Sequence, residues 1–245
     1  MAKAPLTTIF TTGDNVYPVG APEEFEKCYA PTWGRHKLRT FPVIGNHDAY
    51  TDKGKPYHDY FGERAGKWGE SFASLPVGTW KAVALNSNCN HVDCSAAGPQ
   101  YAWLKAVLAG HEGAPGAPTG ACTVVAWHHP RFSSGPHGNT EAMQDVWALL
   151  VEHRVELVLN GHDHDYERFT AFDAQGQPAA GGVVQVVVGT GGKEAYPMGP
   201  PRPGSQFQFT GLPALLALDL AEKGYQGRFA TADGRIRDRF EGTCR

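Results

Sequence analysis

No apolar run in this 245-residue chain approaches the ~20 residues that a membrane-crossing helix needs, so a soluble protein is expected and no membrane partner. The opening residues Met1 to Leu6 lack the long apolar core of a signal peptide. Lysine and arginine are nowhere clustered, and a net charge of −3 is far from the basic face that nucleic acid requires. No nucleic-acid surface is expected. No segment repeats. Gly189-Thr190-Gly191-Gly192 lacks the Lys-Ser/Thr that completes a nucleotide-binding glycine loop, and reads as tight backbone packing instead. The five cysteines, Cys28, Cys89, Cys94, Cys122 and Cys244, contain no second close pair and so no zinc ribbon. Cys89 and Cys94, in a polar loop, are either a short-loop disulfide or two free thiols. A disulfide there implies an oxidising compartment, and with it a secreted or periplasmic location.

What is present is a hydrophobic content of 41%, enough to bury the core of one domain over residues 1–245. Apolar and β-branched runs at Thr7–Thr12, Phe41–Ile44, Lys81–Asn86, Thr123–Trp127, Leu157–Asn160, Val183–Val188 and Leu215–Leu220 predict strands. Helical spacing predicts helices over Pro99–Ala109, with Pro99 in the first turn, and over Asn139–His153, with Asn139 or Thr140 as the N-cap. From Gly181 onward, strand runs alternate with glycine and proline turns and predict a mostly antiparallel sheet. The expected fold is α/β, a layered β-sheet sandwich flanked by helices, with its site at strand ends. Residues 110–120 and Pro197–Pro203 read as exposed loops, the second able to overhang the site.

Four of the strand runs end alike. Gly13-Asp14-Asn15-Val16-Tyr17, Gly45-Asn46-His47-Asp48, His128-His129-Pro130 and Asn160-Gly161-His162-Asp163-His164-Asp165-Tyr166-Glu167-Arg168 each follow an apolar or β-branched stretch. Together they offer one carboxylate, one phenol, one amide and three imidazoles: Asp14, Tyr17, Asn46, His128, His162 and His164. Mixed nitrogen and oxygen donors without thiolate suit iron, zinc or manganese. A carboxylate among neutral donors is the natural bridge between two cations, which can activate water and clamp a phosphoryl group. His91 and His111 lie in polar loops and read as solvated. Arg168 reads as half of a salt bridge, near the site or structural.

With these four segments the chain resembles the calcineurin-like metallophosphoesterases, and within them the purple acid phosphatases; Tyr17, three residues after Asp14, is the discriminating detail. The resemblance implies that Asp14 bridges two metal ions. Tyr17 and His164 would hold a ferric ion; Asn46, His128 and His162 would hold a divalent Fe, Zn or Mn. His47 would face phosphate, and His137, in Ser133-Ser134-Gly135-Pro136-His137-Gly138, would bind phosphate or protonate the leaving group. His129 would be packing or a supporting residue behind the ligands. The activity implied is metal-dependent hydrolysis of small phosphoric esters by a hydroxide generated at the binuclear centre, as a phosphomonoesterase or with diesters through the same centre.

The family's first block, a Gly-Asp whose carboxylate ligates the first metal, has no counterpart, because Met1 to Thr12 contain no Asp or Glu. The chain is therefore expected to lack the family's first strand, as if truncated at its N-terminus. A weak or empty first metal site, association through an exposed sheet edge, and a catalytically impaired remnant that binds metal or phosphate are the corresponding expectations.

Overall fold

Leu157–Asn160 and Val183–Val188, two of the predicted runs, lie side by side as parallel strands at the centre of a seven-stranded sheet. The computed structural model describes residues 7–110 and 122–245. Its strands are β1 (Ile9–Phe10), β2 (Thr40–Phe41), β3 (Ala73–Val77), β4 (Trp80–Ala84), β5 (Thr123–Ala126), β6 (Leu157–Asn160), β7 (Tyr166–Phe172), β8 (Val183–Val188), β9 (Ser205–Phe209), β10 (Ala214–Ala221), β11 (Gly224–Thr231) and β12 (Ile236–Thr243). The α-helices are α1 (Pro22–Glu24), α2 (Asn46–Ala49), α3 (Lys55–Phe61), α4 (Pro99–Leu108) and α5 (Gln144–Glu152).

The large sheet runs β3-β4-β5-β6-β8-β7-β9. Its inner strands β4, β5, β6 and β8 are parallel, and the flanking pairs are antiparallel. Alternate residues of the inner strands feed two different cores, which is why these strands read as unbroken apolar runs. Val83, Val125 and Val158 pack with Leu104 and Val107 of α4 and Val146, Trp147 and Leu150 of α5. Ala82, Val124, Leu157, Leu159 and Val186 face the other way, onto Phe41, Ala214, Tyr225 and Phe229. The second face is covered by the antiparallel meander β10-β11-β12 and by the parallel pair β1-β2. The molecule is thus a mixed α/β layered structure, as expected.

Several elements differ from the pattern reading. The run Phe41–Ile44 joins a ladder only through β2, because Val43 bonds to side chains: its N–H donates to Thr11 Oγ1 and its carbonyl accepts from Asn15 Nδ2. The second long helix starts with a 3₁₀ turn at Glu141–Met143; Thr140 takes the N-cap position of that turn but its side chain makes no capping hydrogen bond. Asn139 Oδ1 accepts from the Ser133 N–H instead. Strands β3, β7, β9, β11 and β12 were not predicted; their polar or half-exposed residues break the apolar run that marks a buried strand. The loop expected over residues 110–120 and His111 fall outside the described residues, Gly110 excepted.

Two disulfides are formed. Cys89–Cys94 is the short-loop pair, and Cys122–Cys244 ties the start of β5 to the segment after β12. Cys28 is an exposed free thiol. Among the described residues no helix is long and apolar enough to cross a membrane.

Candidate functional site

The four motif segments leave the C-terminal ends of β1, β2, β5 and β6 at one rim of the layers, where the fold requires tight backbone. Gly13 has φ +92°, and a Cβ there would lie 2.3 Å from His128 Nδ1; at Gly45 a Cβ would lie 2.1 Å from Asp14 Oδ1. Asp48 sews the first two segments together. Its buried carboxylate accepts from the N–H groups of Gly45 (2.9 Å), Asn15 (3.0 Å) and Val16 (3.3 Å), and from Asn15 Nδ2 (2.9 Å).

The other five predicted ligand residues cluster around Asp14, directly or through one another. Asp14 Oδ1 lies 3.4 Å from His128 Nε2, which is 3.0 Å from Asn46 Oδ1 and 3.1 Å from His162 Nδ1. Asp14 Oδ2 lies 3.1 Å from the Tyr17 hydroxyl, itself 3.2 Å from His164 Nε2. One carboxylate therefore faces two donor groups, one per oxygen. His128 Nδ1 is 2.8 Å from the Thr12 carbonyl, and His164 Nδ1 is 2.8 Å from the Glu194 carbonyl. A carbonyl only accepts, so both Nδ1 atoms carry hydrogen and both Nε2 lone pairs are free for the site.

The electrostatics fit cations. Burial, reinforced by His128, His129 and His137, presses His162 down to about 2, so it is a neutral donor at any ordinary pH. Burial works against charge on His128 too, yet the Asp14 carboxylate beside it raises its pKa, an attraction that a bound cation would take over. Burial and the same carboxylate hold the Tyr17 phenol well above its ordinary value, so a phenolate there requires the charge of a cation. Asp14, Asn46, His128 and His162 suit a divalent ion; Asp14, Tyr17 and His164 suit a harder one.

Around this core, His47 Nδ1 lies 2.6 Å from the Pro18 carbonyl, and its ring packs 4.5 Å from that of Tyr17. His137 Nδ1 lies 2.6 Å from Asp163 Oδ1, and its ring lies 4.2 Å from that of His162. Residues 197–203 lie against the loop bearing His137: the Gly199 N–H donates to the Ser134 carbonyl and the Arg202 N–H to Ser134 Oγ. Arg168 pairs with Asp238 of β12 at 2.7 Å and is structural. His91 is exposed.

Pattern reading missed Asp48, Asp163 and Tyr196. Tyr196 stacks on His164 at 4.0 Å and approaches His137 at 5.5 Å, beside a cleft of about 270 Å³ lined by His164, Thr190, Lys193 and Glu194. It sits in a loop without motif or period, so no local signal marks it. Asp163 lies between His162 and His164 in a segment outside any strand, so no local period marks which way it points.

Asp165, next to His164, is fully buried, and among the described residues neither of its carboxylate oxygens has a hydrogen-bond partner. Burial, then Asp163 and Glu167, push its carboxyl up to about 8 from 3.8. A carboxyl raised on folding is neutral in the folded chain and ionised in the unfolded one, so it costs stability as pH rises from about 4 to about 8. Asp165→Asn is expected to be roughly 2–4 kcal/mol more favourable at pH 8 than at pH 4. Urea denaturation of chelator-treated protein at both pH values checks this; equal effects would refute it.

A model of the calcineurin-like phosphoesterase family matches residues 3–166. Among curated proteins, purple acid phosphatase 17 of Arabidopsis thaliana is 25% identical over 191 residues, covering 70% of this chain and 56% of that one. Purple acid phosphatase 22 of the same plant is 29% identical over 195 residues, covering 72% and 40%. The chain thus spans about half the length of these relatives. Among solved structures, purple acid phosphatase PPD1 from yellow lupin (Lupinus luteus) seeds superposes with a TM-score of 0.75 at 17% identity, covering 96% of this chain and 46% of that one.

Proposed function

The chain belongs to the calcineurin-like phosphoesterase family, and on that premise we propose that it hydrolyses phosphoric monoesters of small molecules at a two-cation centre bridged by Asp14. The observation that carries the reading is the Asp14 carboxylate, with one oxygen toward Asn46, His128 and His162 and the other toward Tyr17 and His164. Two cations held there, a ferric ion with Tyr17 and a divalent Fe, Zn or Mn with Asn46, supply Lewis acidity to the phosphoryl oxygens and acidify bound water.

The chain's own residues do the rest. His47, anchored through Nδ1 to the Pro18 carbonyl, presents Nε2 to a phosphoryl oxygen. His137, oriented by Asp163, holds a proton at Nε2 for the departing alkoxide. Tyr196 walls the site on the His164 side and excludes water from that flank. Two disulfides support an extracytoplasmic, oxidising location.

The test is p-nitrophenyl phosphate against bis(p-nitrophenyl) phosphate after reloading with iron and zinc, with metal counted per chain. Faster turnover of the diester would replace the monoesterase reading with a diesterase, and metal binding without turnover of either would replace it with a binding remnant. The Tyr17 position has three protein donors among the described residues against four at the other, so it is expected to be the first to lose its ion. His137→Asn is expected to lower kcat by about 10²-fold for an alkyl phosphate and much less for p-nitrophenyl phosphate, whose leaving group needs no proton. Equal losses on both substrates would exclude the proton-donor role.

A further inference from the structure

His129 stands next to a predicted ligand in sequence and, in the folded chain, next to two of them in space. Ring nitrogens of His128, His129 and His162 all lie within 4.8 Å of one another. The His129 ring is centred 4.8 Å from that of His128 and 4.4 Å from that of His162. Two imidazole nitrogens on opposite sides of one zinc ion are about 4.2 Å apart, twice a zinc–nitrogen bond. Of three nitrogens around one octahedral ion only one pair can stand opposite, and the other pairs lie about 3 Å apart; His128 Nε2 and His162 Nδ1 already stand at 3.1 Å, so the ion has only to draw the His129 ring inward.

The surroundings of His129 hold it for that use. Its backbone N–H donates to Ser87 Oγ at 2.9 Å and its Nδ1 lies 2.9 Å from the same buried hydroxyl, while its carbonyl accepts from Trp127 Nε1 at 2.8 Å. Backbone and Nδ1 are both fixed, and among the described residues no hydrogen bond engages Nε2. Ligating histidines are commonly held in this way, with one ring nitrogen bonded to the protein and the other left for the metal.

We propose that His129 is a third imidazole ligand of the cation held by Asp14, Asn46, His128 and His162, making that position a three-nitrogen, two-oxygen site with one octahedral place left for substrate. The inference rests on the metal-dependent reading above and adds a selectivity: three imidazoles favour zinc or iron over manganese, which prefers oxygen donors.

The experiment compares the parent chain with His129→Gln, using zinc alone and manganese alone as probes in competition with a chromophoric chelator. His129→Gln is expected to weaken zinc binding at least about tenfold and manganese binding by a smaller factor. X-ray absorption at one zinc per chain is expected to count three imidazoles in the parent and two in the variant; the parent measurement needs no variant to fold. Two imidazoles in the parent, or equal zinc affinity in both proteins, would overturn the assignment while leaving the phosphoesterase reading intact. A parent that binds no zinc, iron or manganese would instead remove both.

Discussion

On the proposed two-cation reading, Asp14→Asn is expected to cost at least about 10³-fold in phosphoester hydrolysis and to lower the metal bound per chain to one ion or none. The substitution changes almost nothing in volume, and the crowding of Asp14 against the Gly45 backbone is therefore kept. What it removes is, among the described residues, the negative charge shared by the two donor groups. An amide presents one acceptor and one donor, so whichever way it turns, an N–H points at either the His128 side or the Tyr17 side. The His47 N–H, which donates to Asp14 Oδ1 at 3.0 Å, favours the orientation with the amide oxygen toward His128. The Tyr17 and His164 position then faces an N–H and is expected to empty first. Metal per chain and the phenolate-to-iron absorption band read this separately from turnover. A variant with two bound ions and turnover within threefold of the parent would show that Asp14 bridges nothing.

Asp48→Ala is expected to destabilise the folded chain by about 3–5 kcal/mol, the largest single-site loss foreseen here. Asp48 touches neither donor group, yet four N–H groups from the two motif segments converge on its carboxylate. Alanine leaves them buried without an acceptor, each at a cost of roughly 1–3 kcal/mol, reduced wherever water enters. Asp48→Asn keeps one acceptor oxygen and is expected to lose about half as much. Urea midpoints measured in chelator separate this structural loss from any change in metal binding, since bound ions add stability by mass action. A loss under about 1 kcal/mol would mean that the two segments hold their positions without Asp48.

How much of this was legible in advance depended on the kind of signal. Leu157–Asn160 and Val183–Val188 were readable to the residue because central parallel strands are buried on both faces and show as continuous apolar runs. Strands β11 and β12 alternate buried and exposed residues through Arg228, Arg237 and Arg239, so their identity depends on the sheet face they cover. The Cys89–Cys94 pairing was readable as one of two outcomes from a five-residue separation. Cys122–Cys244, 122 residues apart, was not, because nothing local brings its ends together. The predicted ligand residues were legible because their segments leave strand ends through short turns with a glycine or proline within a few residues.

By itself, the sequence determined the chemistry available at the site: which carboxylate, phenol, amide and imidazoles exist, and that they leave strands through short turns. Whether those groups meet was a matter for the tertiary structure, since β1, β2, β5 and β6 are separated by as many as 147 residues between Tyr17 and His164. Tertiary structure alone also turned Asp163 toward His137, set Asp48 under two backbones and placed His129 beside His162. The physical reason is range. Strand period and turn geometry act over a few residues and are written locally, whereas hydrogen bonds and charge act across whatever the packed layers bring within a few ångströms.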